Sequence, residues 1–185
     1  MRIVGGIWRG RALTPIGKGA PKDHLRPTSD RVRESLFNVI EHGIGLDLDG
    51  ITVLDLFAGT GALGLEAQSR GATHAIFVDQ GRVAQRLIQA NIEILGATAR
   101  LIARDARKLG PNAGAPAKLI FLDPPYGQNI GASALLAAKE GGWIAEGALV
   151  VWEENAPQQA PEGFAPLDQR RYGDTHVTFL EAQNG

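Results

Sequence analysis

Short apolar runs alternate along the chain with segments in which apolar residues recur every three or four positions. The runs lie at 51–57, 75–78, 100–104, 118–122 and 148–152 and are typical of strands buried on both faces. The periodic segments predict helices, among them 82–95 and 131–140. In the helix at 82–95 the predicted buried stripe is Ala84, Leu87, Ile88, Asn91 and Leu95. With two closing strands, the last at 176–181, the alternation predicts an α/β fold with a mostly parallel, doubly wound sheet.

The first chemically informative stretch is residues 53–64, VLDLFAGTGALG, where a strand turns through a glycine corner into a helix. Gly59, Gly61 and Gly64 fit the G-x-G-x-x-G spacing of dinucleotide sites. Asp55 argues against a dinucleotide, because its carboxylate would repel a pyrophosphate. It would instead attract a ligand with positive charge at that end, such as the ammonium and sulfonium groups of S-adenosylmethionine (SAM).

Two further acids follow predicted strands. Asp79 lies 18 residues past Gly61, where an acid binds ribose hydroxyls in folds of this type. Asp105 follows the third strand, where it could reach an adenine amino group or simply cap the next short helix.

The second informative stretch is residues 118–126, KLIFLDPPY. Its buried strand ends at Asp123, at the edge where open α/β sheets bind ligands. The prolines that follow restrict the backbone and point the Pro124 carbonyl outward. Together with the flat ring of Tyr126, these two acceptors suit a planar group that bears an NH₂.

Length and composition narrow the function classes. The 185 residues predict one domain of ordinary size, and the absence of Cys excludes disulfides and thiolate metal sites. The four His lack ligand spacing, so no metal is expected. There is no signal-like segment and no run long enough to span a membrane, which predicts a cytoplasmic protein without a membrane partner.

Charge is unevenly distributed, because residues 1–34 carry a net charge of +5 and the remainder −6. A basic segment on an acidic domain is the footprint of a polyanion partner, although a solvated face would look the same. Residues 2–14 predict two short strands around Gly5-Gly6 or Gly10, and Trp8 could stack on RNA or pack on the domain. A helix then starts at Thr28 or Ser29 and ends at Gly43. Its predicted apolar face is Val32, Leu36, Val39 and Ile40.

DLFAGTGALGLEA resembles motif I of class I SAM-dependent methyltransferases, and FLDPPY resembles motif IV of those that methylate exocyclic amines. The segments RIVGGIWRGRAL, RPTSDRVRESLFN and RRYGDTHVTFLE resemble the RsmD family of 16S ribosomal RNA guanine-N2 methyltransferases. The resemblance covers nearly the whole chain. It implies methyl transfer from SAM to the N2 of a guanine in small-subunit ribosomal RNA, either naked or in an assembling 30S particle.

The resemblance also implies a Rossmann-like class I fold with seven strands, the last antiparallel. An N-terminal hairpin extension (1–25) that helps to hold RNA would precede the methyltransferase domain (26–185). The implied roles fall into three groups. The SAM site is Thr28, Asp55, Phe57, Gly59, Thr60, Gly61, Asp79 and Asp105; the catalytic residues are Asp123, Pro124 and Tyr126; the RNA-binding residues are Arg2, Trp8, Arg9, Arg11 and Arg26. One departure is that Asp79, followed by Gln80-Gly81, stands where the family often has Glu with a further acid two residues on.

Other functions fit parts of the pattern. DNA adenine-N6 methyltransferases share DPPY but normally need a recognition insert, for which the chain has no room. Protein-glutamine methyltransferases usually have Asn at the position of Asp123, and an NAD-linked oxidoreductase leaves DPPY without a role. A non-catalytic RNA-binding protein on the same fold is disfavoured by the presence of both Asp55 and Asp123.

Overall fold

Seven strands form one sheet with the order β3-β2-β1-β4-β5-β7-β6 in the computed structural model, which describes residues 1–17, 25 and 27–184. The strands are β1 (Thr52–Leu56), β2 (His74–Val78), β3 (Ala99–Ile102), β4 (Ala117–Leu122), β5 (Ile144–Glu154), β6 (Phe164–Tyr172) and β7 (Thr175–Ala182). The helices are α1 (Asp30–Asn38), α2 (Ala62–Ser69), α3 (Arg82–Leu95) and α4 (Gly131–Glu140).

Strands β1 to β5 pair in parallel, whereas β7 is antiparallel to both of its neighbours, β5 and β6. This confirms the predicted class I methyltransferase fold with an antiparallel last strand. The strand order reverses between β1 and β4, and open α/β sheets bind ligands beyond the carboxyl ends of the strands at such a point.

Helix α3 has the predicted bounds and buries the predicted stripe, and Gly96 ends it in the left-handed conformation. Helix α1 differs from its prediction. Ser29 caps it, but it continues through a π-helical turn, Val39–Ile44, to Gly45. Its buried side includes Arg33 and Phe37, so the predicted face was only partly correct. Among the helices of the described residues, none is long and apolar enough to cross a membrane.

The second half of the sheet departs from the sequence prediction at two places. Strand β5 is longer than predicted and ends at Glu153 and Glu154. The prolines at 157, 161 and 166 predict a loop, but Pro166 belongs to β6, beside a shift in register between Pro166 and Asp168. Because β6 is an edge strand, a proline without an N–H is tolerated there.

The N-terminal segment, residues 1–17, doubles back in a short antiparallel contact centred on an Arg2–Ala12 bridge. The Ile3 N–H donates to the Arg11 carbonyl at 2.9 Å, and the Leu13 N–H donates to that of Met1 at 3.0 Å. Ile3 and Leu13 are buried in a cluster shared with α2, β2 and α3. The segment therefore packs against the domain, and the division of the chain at residue 25 stays a prediction.

Gly5-Gly6 allows this segment to approach α2 closely. The N–H groups of Val4 and Gly5 donate to the Glu66 carboxylate at 3.0 and 2.8 Å. At Gly6, which has φ +76°, an added Cβ would lie 1.9 Å from the Ser69 carbonyl oxygen. The two glycines thus serve a docking contact as well as a change of chain direction.

Candidate active site

Acidic side chains mark the carboxyl ends of four neighbouring strands. Asp55 lies near the end of β1, Asp79 and Asp123 directly follow β2 and β4, and Glu153 lies at the end of β5. Leu56 pairs with both Val78 and Leu122, so these strand ends lie level with one another. The fold therefore collects acids from distant parts of the sequence at one edge of the sheet.

The glycine corner after β1 is organised by Asp79. One of its carboxylate oxygens accepts from the Gly59 N–H at 3.0 Å and the other from the Gly81 N–H at 2.8 Å. Gly59, Gly61 and the non-glycine residue Phe57 have φ values of +61°, +79° and +58°. A Phe with left-handed backbone angles is uncommon and persists only where the surrounding structure holds it. Residues held in such conformations are frequent at functional sites.

Asp55 lies beneath this corner, buried, and accepts a hydrogen bond from the Gly64 N–H of α2 at 3.1 Å. Burial raises its pKa well above the ordinary value, although the hydrogen bond from Gly64 acts in the opposite direction. Asp55 is only 2% exposed, so its influence on a ligand would be exerted through charge and through the position of α2.

Two cavities open at this edge of the sheet. The larger, of about 630 Å³, lies between the start of α1, the loop after β4, the end of β5 and the β6–β7 turn. Its polar walls include Thr28, Asp123, Tyr126, Glu153, Tyr172 and Thr175. The smaller, of about 320 Å³, lies beyond β2 and β3. Asp123, Pro125 and Gln128 line both cavities, so the two spaces meet at Asp123.

The loop that follows β4 is fixed at both ends. The Asp123 N–H donates to the Leu56 carbonyl at 3.4 Å, and the Tyr126 hydroxyl lies 3.2 Å from the Thr175 hydroxyl. Burial raises the pKa of Glu154, and the nearby Gly127 N–H acts in the opposite direction. The pKa of Asp123 is raised well above the ordinary value, first by burial and then by the negative charges of Glu153, Asp55 and Glu154.

The smaller cavity fits the adenosine part of the cofactor that the sequence indicates. Phe57, Val78 and Ala106 provide apolar walls, Asp79 provides acceptors at the end of β2, and Arg107 adds a cation. Carboxylate oxygens can each accept more than one hydrogen bond, so Asp79 can hold the corner and still suit ribose hydroxyls. Among the described residues, no group of His, Asp and Glu is arranged to hold a metal ion.

Two predicted cofactor residues have other partners in the structure. Asp105 accepts from the Arg107 N–H at 2.9 Å and pairs with the Arg107 guanidinium at 2.8 Å, which lowers its pKa. It caps the 3-10 turn Ala106–Lys108, the alternative that the sequence left open. The Thr28 hydroxyl faces the larger cavity, 3.4 Å from both carboxylate oxygens of Glu153.

Sequence reasoning missed Glu153, Tyr172 and Thr175 in the larger cavity. Glu153 follows the apolar run 148–152, and an acid directly after a predicted parallel strand was the signal that could have found it. Tyr172 and Thr175 flank the β6–β7 turn and belong to the segment RRYGDTHVTFLE that carries the family resemblance. Only the pairing of β7 with β5 shows that they approach Asp123.

The predicted RNA-binding residues are distributed over the N-terminal segment. Arg2 is exposed and pairs with Asp30 at 3.4 Å, Arg9 is exposed, and Arg11 is exposed and donates to the Ile94 carbonyl at 2.5 Å. Trp8 is half-buried against the core cluster of this region, so packing accounts for part of its surface. Arg26 lies outside the described residues.

Arg33 is not part of this basic surface, because it is fully buried. It pairs with the equally buried Glu66 at 3.4 Å and with Asp30 at 2.9 Å. Arg70 bonds to the other oxygen of Glu66 at 3.1 Å and to Glu41 at 2.9 Å. These side chains form a network that connects α1, α2 and the N-terminal segment.

Comparison with known proteins agrees with this geometry. Residues 1–181 match the family described as Conserved hypothetical protein 95. The chain is 38% identical to "Ribosomal RNA small subunit methyltransferase D" of Escherichia coli over 87% of this chain and 78% of that protein. The Haemophilus influenzae protein of the same name is 31% identical over 94% and 89%. The solved structure of Escherichia coli yhhF has a TM-score of 0.83 and 32% identity, covering 100% of this chain and 99% of that chain.

Proposed function

The chain belongs to the family described as Conserved hypothetical protein 95, and on that premise we propose that it transfers the methyl group of SAM to the exocyclic N2 of a guanine in small-subunit (16S) ribosomal RNA. The substrate is either naked RNA or an assembling 30S particle. The relatives named as small-subunit ribosomal RNA methyltransferases support this substrate. We place the protein in the cytoplasm, where that RNA is found.

The observation that carries the proposal is the position of Asp123 between the two cavities. A methyltransferase must bring a cofactor and an acceptor amine into line, with the methyl group between them. One cavity would hold the adenosine part of SAM and the other the target base. Asp123 lines both cavities, and Pro124 lines the larger one beside it.

The cofactor would be held by residues from three strand ends. We assign the ribose hydroxyls to Asp79 and the adenine to the region of Asp105. The methionine part is assigned to Thr28 and the glycine corner. That corner comprises Phe57, Gly59, Thr60 and Gly61, with Asp55 supplying negative charge from beneath.

The reaction needs an amine that is a better nucleophile than free guanine N2, whose lone pair is delocalised into the ring. SAM supplies an electrophilic methyl group on a positively charged sulfur. Hydrogen bonds from the NH₂ to the Asp123 carboxylate and the Pro124 carbonyl favour a tetrahedral nitrogen, and they stabilise the charge that develops there. With the cofactor bound, the N2 lone pair would form the N–C bond as the C–S bond breaks, and the electron pair of that bond would stay on sulfur. The N2 proton then passes to Asp123 and on to water.

Positioning of the target base would account for much of the remaining rate enhancement. The target guanine would leave its surroundings to enter the larger cavity, as bases do in other enzymes that modify them. Tyr126, held by Thr175, would stack on the base, an interaction worth on the order of 1–3 kcal/mol. Such alignment can contribute several kcal/mol to lowering the barrier.

The RNA would also be bound by the N-terminal segment. Arg2, Arg9 and Arg11 are exposed there, and we assign them, together with Arg26, to phosphate contacts. The exposed part of Trp8 would add a stacking surface. Ile7 beside it is 80% exposed and extends this apolar area.

The decisive experiment is methyl transfer from labelled SAM to 16S RNA and to partly assembled 30S particles from cells lacking the protein, followed by nucleoside analysis. We expect N2-methylguanosine at a single position. Label that appears only in DNA, as N6-methyladenine, would overturn the RNA assignment. Transfer to protein alone would overturn the nucleic-acid assignment altogether.

A further inference from the structure

Glu153 is a buried acid beside Asp123, and the mechanism proposed above does not use it. Leu122 of β4 pairs with Trp152 of β5, so the residues that follow, Asp123 and Glu153, are neighbours on adjacent strands. Both line the larger cavity, and Glu153 is only 4% exposed. Two carboxylates therefore face the space assigned to the target base.

A structural role does not account for Glu153. Among the described residues, its side-chain hydrogen-bond partner is the Thr28 hydroxyl, 3.4 Å from both carboxylate oxygens, and no ion pair includes it. Burying a carboxylate without a cation is costly, so packing alone would favour a neutral side chain at this position. A ligand group that donates hydrogen bonds would offset this cost.

Guanine has a suitable pair of donors on one edge. Its N1–H and N2–H₂ groups are adjacent and point in the same direction, whereas adenine presents an NH₂ next to an acceptor nitrogen. Two neighbouring carboxylates, one for each donor group, match guanine and would repel the N1 lone pair of adenine.

We infer that Glu153 selects the target base by accepting the N1–H of guanine while Asp123 and Pro124 hold its N2 amine. This inference rests on the proposed function and assigns the base specificity of that site. Thr28, which touches Glu153, would orient its carboxylate and connect base selection to the start of α1.

The test compares guanine with 2-aminopurine at the target position of the RNA in partly assembled 30S particles. 2-Aminopurine keeps the reactive amine but has an acceptor at N1. We expect the wild type to prefer guanine. In Glu153→Gln the amide can donate to N1, so the ratio of kcat/KM for guanine to that for 2-aminopurine should fall by about 10- to 100-fold, the usual effect of a hydrogen bond to a charged group.

Glu154→Gln is the matched control, since Glu154 is the adjacent buried acid but does not line the larger cavity. Its guanine preference should stay that of the wild type. If Glu153→Gln turns over too slowly for kinetics, the preference is measured instead as the ratio of the affinities of the S-adenosylhomocysteine-loaded protein for the two RNAs.

The outcomes separate the two proposals. A wild type that does not methylate guanine overturns the proposed function, and this inference with it. A wild type that methylates guanine, with a ratio unchanged in Glu153→Gln, overturns this inference alone. An unchanged ratio with SAM affinity weakened tenfold or more would assign Glu153 to the cofactor instead.

Discussion

The molecule buries charge in two regions that differ in how the charge is compensated. Between α1, α2 and the N-terminal segment, the acid Glu66 is bonded to two arginines, Arg33 and Arg70. At the strand ends, burial and the negative charge of Glu153 raise the pKa of both Asp55 and Asp123, and no ion pair of the described residues includes these three acids. The first region uses charge to join three parts of the chain. The second, in the part of the chain that the structure describes, brings acids together without ion pairs.

This difference separates structure from function. A compensated network holds the fold in one arrangement and has no capacity left for a ligand. Acids that repel one another cost stability, and perturbed groups of this kind cluster at functional sites. A bound cationic cofactor and the donors of a base would compensate the strand-end acids, so this region is completed by its ligands.

The largest expected effect is the loss of activity in Asp123→Ala. Because the variant removes the acceptor at which charge develops, we expect kcat to fall by on the order of 10³-fold while the Kd for SAM stays close to the wild type. Methyl transfer and a SAM titration measure the two quantities. Asp168→Asn, at an exposed pair with Arg170, is the control that should leave both unchanged. Retention of most activity in Asp123→Ala would remove Asp123 from the mechanism.

Breaking the compensated network should cost stability instead. Glu66→Gln leaves Arg33 buried without its full partner and weakens the contacts to Val4 and Gly5, so we expect a loss of about 3–5 kcal/mol in the free energy of unfolding. Urea denaturation measures it. Asp168→Asn, which breaks an exposed ion pair, should lower the free energy of unfolding by less than about 1 kcal/mol. A comparably small loss in Glu66→Gln would mean that the network contributes little to stability.

Glu153→Gln should instead increase the free energy of unfolding, because burial raises the pKa of Glu153 to about 7 from an ordinary 4.5. A raised pKa means that folding favours the protonated form, so wild-type stability falls as pH rises from about 4.5 through 7. The neutral amide avoids this loss. Relative to wild type, the variant should therefore gain up to about 3 kcal/mol between pH 4.5 and pH 8.

Urea denaturation of both proteins across that pH range tests this expectation. The charge of Glu153 also raises the pKa of Asp123 and Asp55, so the difference between the two stability curves measures Glu153 together with its effect on these two acids. A difference that does not depend on pH would show that the carboxylate of Glu153 is solvated or compensated.

Much of the fold could be predicted from the sequence because local signals agreed with the tertiary arrangement. The periodicity of 82–95 and its closing glycine gave α3 with its buried stripe. The apolar runs located the parallel strands, and the DPPY loop placed Asp123 at a strand end. In each case the residues that determine the structure are close together in the chain.

The remaining features depend on contacts between distant residues. Arg33 was included in the positive charge of residues 1–34, which was interpreted as a basic surface. Its burial could not be predicted, because its partner Glu66 lies 33 positions away on another helix. Glu153 approaches Asp123 only through the pairing of β4 with β5. Asp105 had two local possibilities, and only the structure shows its bond to Arg107. Charge counting and motif spacing carry no information about such pairings.

The smallest effect is expected at Gly64, where α2 passes between the two charged regions. Its N–H donates to Asp55, and two residues later the same helix carries Glu66. An added Cβ would lie 2.5 Å from the buried ring of Phe77, so Gly64→Ala must displace the helix or the ring. We expect a loss of about 1–3 kcal/mol in the free energy of unfolding, measured by urea denaturation.

The control is Gly43→Ala, at an exposed position where an added Cβ would meet only Val39 at 3.7 Å. This variant should be neutral or slightly stabilising. Equal stability of the two variants would show that α2 can shift without cost, and that the two charged regions are not held at a fixed separation.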